Sequence, residues 1–402
     1  MVLLMKMMLV LEDGSSFSGE SFGAEAEVCG WVHNDYGVVG YQETLTDPDN
    51  RGMLVNMTYP LIGNCGVNAE DGESDRAQAS ALLVRERSRI VSNWRAEGSL
   101  SDWMKERGVV GMDGVDTRTL ALRLRDRGEM RGVIAPAALP VAELLSKVRS
   151  PSTGTRCGIM SPGASKFPSA PELIRGAVSG DTMRHRVPLS GFTEDGRYRV
   201  VVWDLGVRRS CIAQLEAGGC QVVRAPFTVT SAGTRCGMSP DEEIGALRPE
   251  GVLISNGPGD PRDLAETAAQ IRKALGKLPM IGVALGCQLL ALAGGGRIGA
   301  LKTGHHGVNY PVREAATGRD AITSQNHRFV IDAGSLAGTD FHVSHVNLND
   351  GSVEGIAAEG LEAAGVQFIP LFTDDGAPGA PFAEFIRRME RRRKAGAQPF
   401  TE

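Results

Sequence analysis

At 402 residues the chain exceeds the usual size of one domain, and roughly one domain per 100–200 residues predicts two or three. Hydrophobic content of 42%, charged content of 23% and a formal net charge of -5 describe an ordinary globular chain with no bias toward nucleic acid. No apolar run is long enough to span a bilayer, so neither a nucleic-acid nor a membrane partner is expected.

The apolar opening Met1 to Leu11 runs straight into Glu12-Asp13-Gly14 with no small-residue cleavage site. It reads as a buried strand entering an Asp-Gly turn, not as a secretion signal. Residues 1–150 mix short strand-like runs with helical stretches at Asp75 to Val91 and Asp116 to Arg127, and form one α/β domain. Residues 151–195 turn rich in Gly, Pro and Ser, as in Pro151-Ser152-Thr153-Gly154 and Ser161-Pro162-Gly163, and predict a linker.

Over residues 196–392, apolar runs bounded by glycine alternate with helical segments. Strands are expected at Tyr198 to Trp203, Gln221 to Ala225, Gly251 to Ser255 and Met280 to Val283, with helices at Arg209 to Ala217 and Asp263 to Leu275. Such alternation predicts a mostly parallel open sheet flanked by helices, with ligands beyond the carboxyl ends of its strands. Residues 393–402 read as a tail, and Arg387-Arg388 with Arg391-Arg392-Arg393-Lys394 as the solvated end of a final helix.

Cys29, Cys65, Cys157, Cys211, Cys220, Cys236 and Cys287 are an odd set without a CxxC pair. They argue against a disulfide framework or zinc knuckle and make the cytoplasm the default compartment. His305-His306, His327, His342 and His345 predict no metal, since adjacent histidines seldom share one ion. Gly294-Gly295-Gly296 opens no phosphate-binding helix, so no nucleotide is assigned to it.

Met280-Ile281-Gly282-Val283-Ala284-Leu285-Gly286-Cys287-Gln288 looks like a strand, a tight turn and a helix start. Glycines flanking the turn permit the sharp backbone of a nucleophile elbow, which lifts one side chain above the sheet edge. The raised position is Ala284, which carries no nucleophile and no proton.

This stretch resembles the G-x-C-x-G-x-Q elbow of class I glutamine amidotransferases, with alanine at the cysteine position. The family's distal V-Q-x-H-P-E motif corresponds to Val366-Gln367-Phe368-Ile369-Pro370-Leu371, so the places of the histidine base and its orienting glutamate hold Ile369 and Leu371. Ile254-Ser255-Asn256-Gly257-Pro258-Gly259-Asp260-Pro261 resembles the family's oxyanion loop. Gly304-His305-His306-Gly307, Ser324-Gln325-Asn326-His327 and His345-Val346-Asn347-Leu348-Asn349-Asp350-Gly351 resemble its carbamoyl-phosphate synthetase version.

The N-terminal strings Gly40-Tyr41-Gln42-Glu43, Leu45-Thr46-Asp47-Pro48, Thr58-Tyr59-Pro60, Ser92-Asn93-Trp94-Arg95 and Gly114-Val115-Asp116-Thr117-Arg118 are similar to the small-subunit domain of carbamoyl-phosphate synthetase. Nearly the whole chain is covered by the resemblance.

It implies an α/β fold of two domains, a small-subunit domain followed by an amidotransferase domain. It also implies an oxyanion hole from the backbone of Gly259 and Leu285, and a former glutamine pocket lined by Gly257, Gly259, Leu285, Gln288, Asn326 and Phe329. Asp49 and Arg328 replace a small serine and a glycine of that pocket, and an ion pair between them is expected. Cys287 stands where the family has histidine; on the first turn of a helix its thiol is a candidate for altered reactivity, although a packed core residue is the plainer reading.

With the triad empty, glutamine hydrolysis is predicted absent, and the expected role is that of a partner to an ammonia-using large subunit. That subunit, and not this chain, would hold ATP and magnesium. The alternative is a pocket reused for another small molecule. A single cysteine-to-alanine change would account for Ala284 alone and leave Asp49, Arg328, Ile369 and Leu371 unexplained.

Overall fold

The computed structural model describes residues 5–149, 170–178, 196–227 and 239–396. These group into two compact units, Met1–Ser169 with Lys302–Gly307, and Ala170–Leu301 with Val308–Glu402.

Among the described residues the first unit carries nine strands: β1 (Lys6–Leu11), β2 (Ser16–Ser21), β3 (Val28–Asp35), β4 (Leu54–Met57), β5 (Leu61–Ile62), β6 (Ala81–Leu83), β7 (Glu86–Arg87), β8 (Val110–Asp113) and β9 (Met130–Pro136). Seven of them close a barrel in the order β1-β2-β8-β6-β4-β3-β9, and β5 pairs with β7. The strand period explains why β1 is apolar on both faces from Met7 onward. Met7, Leu9 and Leu11 fill the barrel, while Val10 faces outward and is covered by Leu144 and Val148 of the helix Val141–Arg149. The expected turn follows, with Gly14 at φ 93° donating its N–H to the carbonyl of Leu11.

The helix Thr117–Arg127 matches its expectation; the Asp116 carboxylate caps it by accepting from the Thr119 N–H at 3.1 Å. Asp75 to Val91 does not form the expected helix. It contains β6 and β7, and Ala81–Leu83 is fully buried between parallel partners β4 and β8. Barrel closure overrides the local helical preference of this alanine- and leucine-rich stretch.

The second unit carries β10 (Tyr198–Asp204), β11 (Cys220–Pro226), β12 (Gly251–Ile254), β13 (Met280–Val283), β14 (Ile298–Glu314), β15 (Asp320–Ile331), β16 (His342–Asn347), β17 (Val353–Ala358) and β18 (Ala363–Val366). Their order in the sheet is β11-β10-β12-β13-β18-β17-β15-β14-β16. The run β11-β10-β12-β13-β18 is parallel, and β17 joins β18 antiparallel to open the remaining part. Both faces of the parallel strands are covered. Val200, Val202, Leu253 and Ile281 pack on the helices Arg209–Ala217 and Ala380–Lys394, whereas Val201, Trp203, Val252 and Ile254 pack under Pro240–Leu247, Ala265–Ala274 and Leu285–Ala293. Continuous apolar runs result where a half-exposed strand would alternate.

Two boundaries differ from expectation. The helix Ala170–Ala177 falls inside the expected linker yet belongs to the second unit, and the last helix runs to Lys394. Its basic end is ion-paired as well as solvated: Arg393 bridges both oxygens of Glu250 at 2.6 and 2.7 Å, and Arg392 pairs with Glu362. Among the described residues no helix is long and apolar enough to cross a membrane. Cys29, Cys65, Cys211, Cys220 and Cys287 are thiols, and Cys157 and Cys236 lie outside the described residues.

Candidate functional site

The elbow forms at the carboxyl end of β13. Ala284 sits at φ 47° and ψ -108°, a strained combination for a residue with a Cβ, and the helix Leu285–Ala293 starts directly after it. The flanking glycines are sterically required. A Cβ on Gly282 would lie 2.5 Å from the carbonyl carbon of Gly286, and one on Gly286 would lie 2.0 Å from the Ile254 carbonyl oxygen. This close approach seats the first turn of the elbow helix on the end of β12.

That strand end opens the loop Ser255 to Asp260. Ser255 Oγ accepts from the Leu205 N–H at 2.9 Å, and Asn256 accepts from the Arg208 N–H while donating to the Gly206 carbonyl. Gly257 and Gly259 are both confined: a Cβ on Gly257 would meet the Leu205 carbonyl oxygen at 2.4 Å, and one on Gly259, at φ 106°, would meet Ala170 at 2.5 Å. Helix Ala170–Ala177 thus braces the loop that carries the Gly259 amide. Sequence reasoning placed Ala170 in a linker; its signal was the short Ala-Pro-Glu-Leu-Ile helix start inside a Gly- and Pro-rich stretch.

The distal motif lies on the other side of the elbow. The Ala284 N–H donates to the Val366 carbonyl at 2.8 Å, and the Ile369 N–H donates to the Ser324 carbonyl at 2.8 Å. Ile369 is buried, whereas Leu371 is 56% exposed, so the glutamate position presents hydrocarbon to solvent. Nothing at these places can accept or relay a proton.

Phe329 gathers several of the expected pocket residues. Its carbonyl accepts from Gln288 Nε2 at 3.0 Å, from Gln367 Nε2 at 3.1 Å and lies 3.0 Å from His327 Nδ1. Two guanidinium groups approach its ring, Arg262 at 5.2 Å and Arg328 at 5.7 Å from the centroid. Arg262 is held by Asp260 at 2.6 Å, which ties the ring to the Gly-Pro-Gly loop. Neither Arg262 nor Gln367 was singled out as a site residue; the Asp-Pro-Arg step after Gly259 was the available signal. Asn326 and Arg328 are half-buried on β15, and Asp49 is half-buried on the short turn Pro48–Asn50 of the first unit.

Cys287 is fully buried against Gly365, and a Cβ on that glycine would stand 2.9 Å from its sulfur. Burial, with the Glu354 carboxylate adding to it, pushes its thiol far above the ordinary range. A thiolate nucleophile is disfavoured there. His327 is equally committed, with Nε2 2.5 Å from Gln325 Oε1 and 3.5 Å from Glu354 Oε2.

A parallel strand, a strained elbow and a facing Gly-Pro-Gly loop define a domain of the class I glutamine amidotransferase type. Residues 201–386 match the family described as glutamine amidotransferase class-I, and residues 9–134 match the carbamoyl-phosphate synthase small chain, CPSase domain. Similar proteins include the carbamoyl phosphate synthase small chain of Akkermansia muciniphila, 38% identical over 98% of this chain and 99% of that one. That of Listeria innocua is 39% identical over 96% of this chain and 97% of its own. The pyrimidine-specific small chain of Halalkalibacterium halodurans is 38% identical over 96% of this chain and 98% of its own. The chain belongs to the carbamoyl phosphate synthase small chain family.

Proposed function

We propose that this small chain is a glutaminase-dead pseudoenzyme that serves as the structural or regulatory partner of a synthetase large subunit fed by free ammonia. One observation carries the reading: the elbow keeps its strained backbone while its raised residue is Ala284 and the two relay places are Ile369 and Leu371. The Gly259 and Leu285 amides alone would leave roughly 10³–10⁴ over uncatalysed hydrolysis and forfeit about 10⁶ in turnover, by analogy with a protease stripped of its triad. That is too slow to supply a synthetase.

In this reading ATP and magnesium belong to the large subunit, the complex is heteromeric and cytoplasmic, and its product enters pyrimidine or arginine synthesis. The test is co-purification of the chain with its large subunit followed by nitrogen-donor assays. Carbamoyl phosphate should form from ammonium, ATP and bicarbonate and gain nothing from glutamine. A large subunit that behaves identically with and without the chain would remove the role.

A second reading is favoured by Arg328. With Arg262 already paired to Asp260, the Arg328 guanidinium beside Phe329 suits a carboxylated or phosphorylated small molecule better than a neutral amide. Binding of such a molecule, lost in Arg328→Gly, would support it; an unchanged Arg328→Gly variant would count against it.

A further inference from the structure

We infer that a second ligand site lies on the first unit, in a cleft of about 610 Å³ walled by Arg85, Arg118 and Arg125, and that it binds a phosphorylated small molecule. All of its lining residues belong to the first unit, so the site is separate from the elbow and does not depend on the function proposed above. The volume lies within the roughly 300–1,000 Å³ of small-molecule sites.

Charge defines the ligand class. Arg85 and Arg118 are exposed; Arg85 acts at a distance on the Asp116 carboxylate, helping to hold it below its usual range, and neither guanidinium makes a close ion pair among the described residues. Arg125 pairs with Asp126 at 2.9 Å, but both side chains are more than 60% exposed, and such a pair neutralises little in water. The one carboxylate in the wall, Asp116, is occupied as the cap of the helix Thr117–Arg127, accepting from the N–H and hydroxyl of Thr119. Three guanidinium groups against one engaged carboxylate leave the cleft net positive. The start of that helix faces the same space and adds the positive end of its dipole.

The floor is built, not incidental. Buried Asn34 donates to the Tyr36 hydroxyl and the Ala121 carbonyl, each at 3.3 Å. Buried Asn56 donates to Asn34 Oδ1 at 2.8 Å and to the Thr117 carbonyl at 3.2 Å. Three of the lining residues are therefore fixed from beneath, and the Tyr36 hydroxyl, already accepting, keeps its own proton for a ligand oxygen. Pro60, Ala121 and Leu122 supply an apolar side. Guanidinium forks, a hydroxyl donor and an apolar wall together match a phosphate group attached to an organic body.

The test is calorimetric titration of the full-length chain with pyrophosphate and with a nucleoside monophosphate, against sulfate at matched ionic strength. Saturable binding of the phosphorylated probes is expected, weakened at least about tenfold by Arg118→Ala and further by Arg85→Ala/Arg118→Ala. Arg272→Ala, an exposed arginine of the second unit, should leave it unchanged. Absence of saturable binding by either probe would overturn the inference, as would equal weakening by Arg272→Ala or equal affinity for sulfate. So would arginines that are silent toward both probes and matter only for association with the large subunit, because the cleft would then receive an acidic protein segment.

Discussion

Ala284 donates its backbone N–H to the carbonyl of Val366 at 2.8 Å, which ties the elbow to the strand whose continuation carries Ile369 and Leu371. The positions of nucleophile, base and orienting acid thus remain mechanically coupled although each holds hydrocarbon. Restoring one of them should achieve nothing, because triad members act as a unit. The relay must be rebuilt with the nucleophile: Ala284→Cys alone should release no ammonia from glutamine above background, and Ala284→Cys/Ile369→His/Leu371→Glu should recover a fraction of it. Addition of Arg328→Gly should raise the rate at least about tenfold further if the guanidinium beside Phe329 crowds the substrate. Full recovery by the triple variant would show that Arg328 leaves the pocket clear.

The elbow glycines should prove structural even without catalysis. Gly286→Ala pushes a methyl group to 2.0 Å from the Ile254 carbonyl oxygen, a contact that only backbone movement relieves. A loss of at least about 2 kcal/mol is expected, read from the urea midpoint of the second unit. Gly338→Ala tests the other half of the argument: no atom lies within 4 Å of its Cβ position, so only the strain of φ 84° remains and the cost should be smaller.

Cys287 should be chemically silent. Burial raises its thiol well above the usual range, so iodoacetamide at pH 8 should label half-buried Cys65 long before it. Peptide mapping after timed quenching reads the order directly. Early modification of Cys287 in the folded chain would restore it as a candidate nucleophile.

The first unit should lose stability in mild acid. His33 is buried and stacked 4.2 Å from His306, and burial, reinforced by the neighbouring imidazole, depresses its pKa to about 3. The Glu129 carboxylate, 2.9 Å from His306, opposes that shift without overcoming it. The unfolded chain takes up this proton near pH 6.5 and the folded chain does not, so the contribution is complete above pH 6.5 and is lost as pH falls toward about 3. Between pH 6.5 and 5 the loss is about 2 kcal/mol. His33→Phe should flatten that slope in denaturant titrations; an unchanged slope would assign the acid sensitivity elsewhere.

The parallel half of the second unit was legible because its strands are buried on both faces and punctuated by glycine, so Tyr198–Asp204 and Met280–Val283 fall within a residue of expectation. The elbow was legible for a related reason: Gly282 and Gly286 bracket a turn that no other residues can make. The barrel was not. Its closure depends on β1 and β3 both pairing with β9, across contacts as distant in the chain as Met7 to Pro136 and Val28 to Ile134, and β6 is only three residues long. The bracing of Gly259 by Ala170 was hidden too, because contact between residues so far apart in the chain leaves no periodic trace.

The most direct measurement is ammonia release from glutamine by the purified, unaltered chain, alone and bound to its large subunit. The expected result is no more than the roughly 10³–10⁴ over uncatalysed hydrolysis that the Gly259 and Leu285 amides supply, with no gain when the large subunit is bound. Multiple turnovers per second from the unaltered protein would contradict it.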